Sequence, residues 1–269
     1  MALRELKYKG KKVSYDYRKK KDRGTVVLLH GFLETGSIWK DYISELSKNY
    51  AILNIDLLGH GGTECIGYVH TMEEMADMVR AVLKTHDVRK GFFVGHSMGG
   101  YVALAYAEKY PDNTKGICLF NSSAFADSKL KRLDRDKAIE VVKKNHEVFI
   151  KVAINFLFTS MDTPSLKVEL KRTLKEALAT SKQGIIAALE GMKIREDREM
   201  ILKFSPCPVL FIIGKQDKTL NYEALIEQSK LNENGSYYLS EKGGHLCFYE
   251  DKYPCLKALT NFISSSTRK

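Results

Sequence analysis

Between Gly91 and Lys109 the chain passes from a continuous apolar run to a helical repeat with no loop between them. Gly91-Phe92-Phe93-Val94-Gly95-His96 is apolar on both faces, the pattern of a strand buried inside a parallel sheet, and residues 98–109 read as a helix. Gly95-His96-Ser97-Met98-Gly99-Gly100 straddles the junction. A chain that turns from strand to helix at one residue forces that residue into a strained backbone conformation. The residues two before and two after must be small, because the turn presses backbone against backbone. Gly95 and Gly99 hold those positions. The residue at the apex, Ser97, is then raised above the sheet edge at a helix N-terminus.

The rest of the chain agrees with a sheet of this kind. Residues 6–8 and 13–17 alternate around Lys9-Gly10-Lys11 and predict a hairpin. Residues 25–30, 51–56 and 116–121 are further buried-strand patterns, with helical patterns at 37–48 and 71–85 between them. The alternation resumes with a strand at 208–214, a helix at 221–230, a strand at 236–240 and a closing helix at 249–264, followed by a frayed tail at 264–269. Between the two stretches, residues 122–204 show no strand pattern and read as four or five helices, with apolar spacing at 138–142, 148–158, 166–178 and 184–192. The division is a core of 1–121, a helical cap of 122–204 and a second core segment of 205–269. Ligands of open α/β sheets bind at the carboxyl ends of strands, and an insertion between strands is placed to cover them.

A serine hydroxyl needs a base, and the base needs an acid to hold its tautomer and stabilise its charged form. His245 follows the last strand in Gly243-Gly244-His245, where the glycines let the loop fold over the sheet edge. Asp217 follows the strand at 208–214 in Gly214-Lys215-Gln216-Asp217, on the same rim as Ser97. The order Ser97, Asp217, His245 is the one expected on this kind of sheet. Asp56 and Asp127 are the other acids considered. Donors for a developing oxyanion are expected from the N–H of Met98, next after the nucleophile, and of Phe32 in His30-Gly31-Phe32-Leu33. Gly31, Leu33, Trp39 and His96 are the expected substrate contacts, with Phe125, Phe156, Phe158, Met161 and Leu189 as further lining from the cap.

These motifs, together with Gly36-Ser37-Ile38-Trp39 and Asp56-Leu57-Leu58-Gly59-His60-Gly61, resemble the α/β-hydrolase superfamily, in its capped serine-hydrolase, carboxylesterase-like branch. The resemblance implies a mostly parallel sheet with helices on both faces and an inserted helical cap. It also implies a Ser-His-Asp mechanism, with no cofactor and no metal. Relatives that use aspartate as nucleophile are excluded by Ser97. The expected activity is cleavage of carboxylic esters with small to medium acyl chains. A carbon–carbon bond hydrolase or cofactor-independent lyase using the same residues is one alternative, and a non-catalytic small-molecule binder the other.

Charge and cysteine content limit the partners. The formal charge is +10, but the 43 basic residues are interspersed with 33 acidic ones, and only short clusters such as 129–135 are locally basic. No nucleic-acid motif accompanies them, so the expected partner is a small acyl ester and not nucleic acid. The cluster at 129–135 also admits an anionic substrate, although a solvated helix face is the simpler account. Five cysteines in irregular spacing make neither a disulfide framework nor a zinc pattern. Residues 1–21 lack the apolar core of a signal peptide, and no run is long enough to span or insert into a membrane. A cytoplasmic monomer or homodimer is the expectation.

Overall fold

The computed structural model describes residues 3–20, 23–159 and 163–267. Eight strands form one sheet in the order β1-β2-β4-β3-β5-β6-β7-β8. β1 (Leu3–Tyr8) and β2 (Lys11–Arg18) are the antiparallel hairpin, longer at both ends than the alternation suggested. Lys9 and Gly10 both have positive φ, 47° and 79°, as a primed hairpin turn requires. β2 then pairs antiparallel with β4 (Ala51–Ile55). All remaining neighbours are parallel: β3 (Thr25–Leu29), β5 (Gly91–His96), β6 (Thr114–Phe120), β7 (Val209–Gly214) and β8 (Gly235–Ser240). β3, β4, β5 and β7 are buried at every residue, which is why their sequences are apolar without alternation.

Helices supply the covering layers. α2 (Met72–Lys84) packs on α3 (Met98–Lys109), which lies over β3, β5 and β6. α8 (Tyr222–Ser229) covers β7 and β8. α10 (Lys252–Ser266) lies over β6, β7 and β8 and is tied to α1 (Lys40–Leu46) by Lys252 Nζ on Asp41, 2.8 Å. The helix expected over 37–48 divides into a tight turn, Gly36–Trp39, and α1, because the Thr35 hydroxyl caps the turn at Ser37 N–H. The closing helix is likewise interrupted: α9 (Cys247–Glu250) stops at Asp251, φ −134°, before α10 begins. Residues 264–266, expected as frayed tail, continue α10, while 268 and 269 lie outside the described residues.

Among the described residues four helices stand between β6 and β7: α4 (Lys129–Leu157), α5 (Pro164–Leu178), α6 (Lys182–Lys193) and α7 (Glu199–Phe204). The patterns at 138–142 and 148–158 belong to one element, α4, broken at Asn145 (φ −155°, ψ 92°). The layer is bound to the core by polar contacts. Glu176 accepts from the hydroxyls of Ser37 (2.5 Å) and Thr35 (3.0 Å), Lys40 meets Glu169 at 2.6 Å, and Arg198 bridges to Glu73 and Glu108.

Candidate active site

The β5–α3 junction has the strain that its sequence predicts. Ser97 lies at φ 48°, ψ −114°, outside the regions open to most L-residues. The strain is fixed from several sides. Ser97 N–H donates to the Phe120 carbonyl (3.0 Å), and the Ser97 carbonyl accepts from Gly100 N–H (2.9 Å) and the Ser122 hydroxyl (2.7 Å). A Cβ at Gly95 would collide with the Gly99 backbone, and one at Gly99 with the Leu29 carbonyl of β3. Only glycine at both positions lets α3 start against the sheet.

The loops after β7 and β8 bring an acid to a base. His245 Nδ1 donates to Asp217 Oδ2 at 2.8 Å, with both side chains buried. Asp217 Oδ1 accepts from Thr219 N–H (2.7 Å), the Thr219 hydroxyl (2.8 Å) and Leu220 N–H (3.2 Å). The Thr219 oxygen in turn lies 2.8 Å from His245 Nδ1. Asn121, just past β6, donates through Nδ2 to both Asp217 Oδ2 and the Gly244 carbonyl, each at 3.0 Å, and so joins the acid loop to the base loop. Burial works against the Asp217 charge, but the His245 partner and the Thr219 donors outweigh it and hold its carboxyl well below the usual range. Burial likewise opposes charge on His245, and the Asp217 carboxylate overcomes it and lifts the imidazole above its ordinary value, with Lys131 pulling the other way.

A second buried pair braces the opposite side. Glu34 Oε2 accepts from Gly31 N–H (2.6 Å) and from His96 Nδ1 (2.8 Å), and His96 Nε2 donates to the His245 carbonyl (2.9 Å). The turn after β3, the strand bearing Ser97 and the His245 loop are thereby linked. Burial would push the Glu34 carboxyl up, but His96 and the Gly31 N–H hold it below the usual range. The turn itself runs from Gly31 to Glu34, closed by Glu34 N–H on the Gly31 carbonyl (3.3 Å), with Leu33 at φ 62°. Among the described residues neither the Phe32 N–H nor the Met98 N–H has an acceptor. Met98 is the first residue of α3, where a helix has no internal partner for its N–H.

Ser97, His245, Phe32, Lys131, Leu157 and Met192 line one cavity of about 140 Å³, with Glu34 and His96 in the same wall. Ser97 Oγ makes no hydrogen bond to His245 among the described residues, so the two groups share a cavity without being joined.

The comparisons with known proteins agree with this architecture. The sequence matches the family described as alpha/beta hydrolase fold over residues 24–252. The chain belongs to that family. The structure of a thermophilic esterase from Thermogutta terrifontis superposes on this α/β-hydrolase with TM-score 0.90, at 25% identity over 99% of this chain and 100% of the other. AB hydrolase superfamily protein YisY of Bacillus subtilis is 24% identical over 89% of this chain and 91% of its own length. The pimeloyl-[acyl-carrier protein] methyl ester esterase of Aliivibrio fischeri is 23% identical over 89% of this chain and 93% of its own.

Several expected contacts of the hydrolase lie elsewhere. Trp39 is fully buried, edge-on to Tyr42 (5.5 Å) and Phe120 (5.8 Å) and tilted against Phe248, so it serves the core and not the cavity. Leu33 is 1% exposed and also belongs to the core. Gly31 acts through its N–H on Glu34 and does not line the cavity. His96, expected as a substrate contact, reaches the wall but has both ring nitrogens occupied. From the helices between β6 and β7, Leu157 and Met192 face the cavity. Phe156 is half exposed, and Phe158 and Leu189 are buried away from it. Phe125 lines a neighbouring cavity, and Met161 lies outside the described residues. Asp56 is taken up by the N–H groups of Gly36 and Gly62 (both 2.8 Å), and Asp127 by Arg135 and Arg195. Glu34, Thr219 and Asn121 had no part in the sequence reading. The one legible signal was Asp217-Lys218-Thr219, since an Asp side chain in a turn commonly accepts the backbone N–H two residues on. Among the described residues no helix is long and apolar enough to cross a membrane, and no group of acidic, His or Cys side chains is arranged to hold a metal.

Proposed function

We propose that this α/β-hydrolase cleaves carboxylic esters of small to medium acyl chains, with Ser97 as nucleophile, His245 as base and Asp217 orienting His245. The observation that carries the reading is the 2.8 Å contact of His245 Nδ1 with Asp217, which leaves Nε2 free in a cavity that also holds Ser97. In this mechanism the Ser97 hydroxyl turns toward Nε2, as such pairs do when substrate closes the gap. His245 takes the proton as the Ser97 oxygen bonds to the acyl carbon. The carbonyl oxygen becomes an oxyanion, received by the Phe32 and Met98 N–H groups. When the tetrahedral species collapses, the ester C–O bond breaks and His245 gives its proton to the departing alkoxide. Water then gives a proton to His245 as its oxygen bonds to the acyl carbon, the bond from that carbon to the Ser97 oxygen breaks, and His245 returns the proton to Ser97 as the acid leaves. The volume of about 140 Å³ supports a small acyl group, being below the range of drug-sized pockets. Five free cysteines support placement in a reducing compartment such as the cytoplasm.

The test is Ser97→Ala assayed with 4-nitrophenyl butyrate, alongside fluorophosphonate labelling of both proteins. Turnover is expected to disappear with the label while the circular dichroism spectrum stays the same. Full activity in Ser97→Ala, or a native protein that neither labels nor turns over ester, would refute the assignment.

A further inference from the structure

α4 begins in an electrostatically unfavourable way. Lys129, Lys131 and Arg132 occupy its first turn and no acid does, although the positive end of a helix favours acids there. Most of the nearby charges are already matched. Arg135 and Arg195 share Asp127, Arg195 also lies over the Tyr101 ring at 4.0 Å, and Asp197 accepts the N–H groups of Ala126 and Glu199. Glu34 is engaged by His96. Among the described residues Lys129 and Arg132 also lack a carboxylate partner but are exposed, whereas Lys131 of the three lines the Ser97 cavity. Its ammonium makes one long contact, 3.5 Å to the Thr219 carbonyl, and has no carboxylate within 4.0 Å among the described residues. It is half-buried, and it lines both the Ser97 cavity and an adjoining one of about 460 Å³; the two share Tyr101, Lys131, Thr219 and Leu220. An ammonium carries three donors, and only one of them meets an acceptor here, so the others are free to reach a group in the cavity.

Resting on the esterase reading, we propose that the substrate is an ester bearing a second, anionic group, a carboxylate, which Lys131 receives while the acyl carbon stands at Ser97. The shared wall gives such a molecule room at both ends. Thr219 sits between the two: its carbonyl contacts Lys131 and its hydroxyl contacts His245.

The experiment uses two matched pairs of esters at low ionic strength, where charge selection is least screened. Mono-4-nitrophenyl adipate against 4-nitrophenyl methyl adipate places the carboxylate on the acyl side. 4-Butyryloxybenzoate against phenyl butyrate places it on the alcohol side. At least one pair is expected to show a tenfold or greater preference in kcat/KM for the anion in the native enzyme, and Lys131→Met is expected to collapse that ratio toward one. A ratio near one in both pairs for the native enzyme, or a preference that survives in Lys131→Met, overturns the proposal. Free adipate supplies a reading that needs no turnover: it should raise the melting temperature of the native protein and not of Lys131→Met. If Ser97 takes no fluorophosphonate label and neither pair is cleaved, the esterase reading fails, and the adipate shift alone decides whether Lys131 binds an anion.

Discussion

The Asp217 carboxylate does two things to His245: it fixes the proton on Nδ1 and it favours the charged ring. Asp217→Asn removes both. An amide that turns its NH2 toward Nδ1 moves the ring proton to Nε2, where it blocks acceptance from Ser97. The expected loss in kcat is roughly 10³- to 10⁴-fold. In the proposed mechanism His245 works only when neutral, and the folded protein raises its pKa, so activity of the native protein should fall as pH drops through a value above the ordinary 6.5. In Asp217→Asn the residual activity should hold to lower pH. A pH–rate profile with an unchanged acid limb would contradict this account. Glu34 acts at one remove, through Gly31 and His96. Glu34→Gln should lower kcat about tenfold or more by loosening both loops, and its acid limb should move to lower pH by less than that of Asp217→Asn, since the Glu34 charge lifts His245 less than Asp217 does. Ser97, Asp217 and His245 were legible because each follows a recognisable strand end. Glu34 was not, because choosing one carboxylate among 33 acidic residues requires knowing which is buried against His96.

At the level of elements, α4 shows why the insertion was harder to read than the sheet. Its two apolar stretches looked like separate helices, and in hydrogen bonding they nearly are. Asn145 leaves the helical region, and its Oδ1 accepts from Val148 N–H at 3.1 Å, the geometry of a helix N-cap. Asn145→Ala is expected to cost about 1 kcal/mol and lower the melting temperature by roughly 2–4 °C, while Asn145→Asp, which can still cap, should cost little. Equal losses in the two variants would mean the kink has another cause. The parallel strands were legible because burial on both faces leaves an unbroken apolar run. The pairing of β2 with β4 was not, since a hairpin's own alternation says nothing about which distant strand accepts its free edge. The contribution of α4 to the cavity was unreadable for a related reason: whether Phe156 or Leu157 faces inward depends on the rotation of a helix about its axis, and packing sets that.

Across the whole molecule, a set of buried histidines ties stability to pH. Burial is the main cause in each case: it lowers His30, brings His60 to about 3 and brings His70 to about 4. His60 donates from Nδ1 to the Leu58 carbonyl at 3.0 Å, and its Nε2 is buried with no partner among the described residues, so a second proton there would find no acceptor. In the unfolded chain these imidazoles protonate near 6.5. The unfolded chain therefore binds more protons than the folded one between about 6.5 and about 4, and stability must fall as pH drops through that window, by as much as roughly 1.4 kcal/mol per pH unit for each histidine. The depressed carboxyls of Asp217, Glu34 and Asp127 act in the same direction but at more acid pH, below the ordinary carboxylate range. A comparison of urea midpoints at pH 7 and pH 5 thus reads the histidines, three of them lowered and His245, raised, acting the other way only between its own value and 6.5. The native midpoint should fall between those values. His60→Gln should start lower at pH 7, having lost a packed ring, and fall less on going to pH 5, since it has no proton to gain there. Equal slopes in the two proteins would mean that His60 is not held neutral by burial.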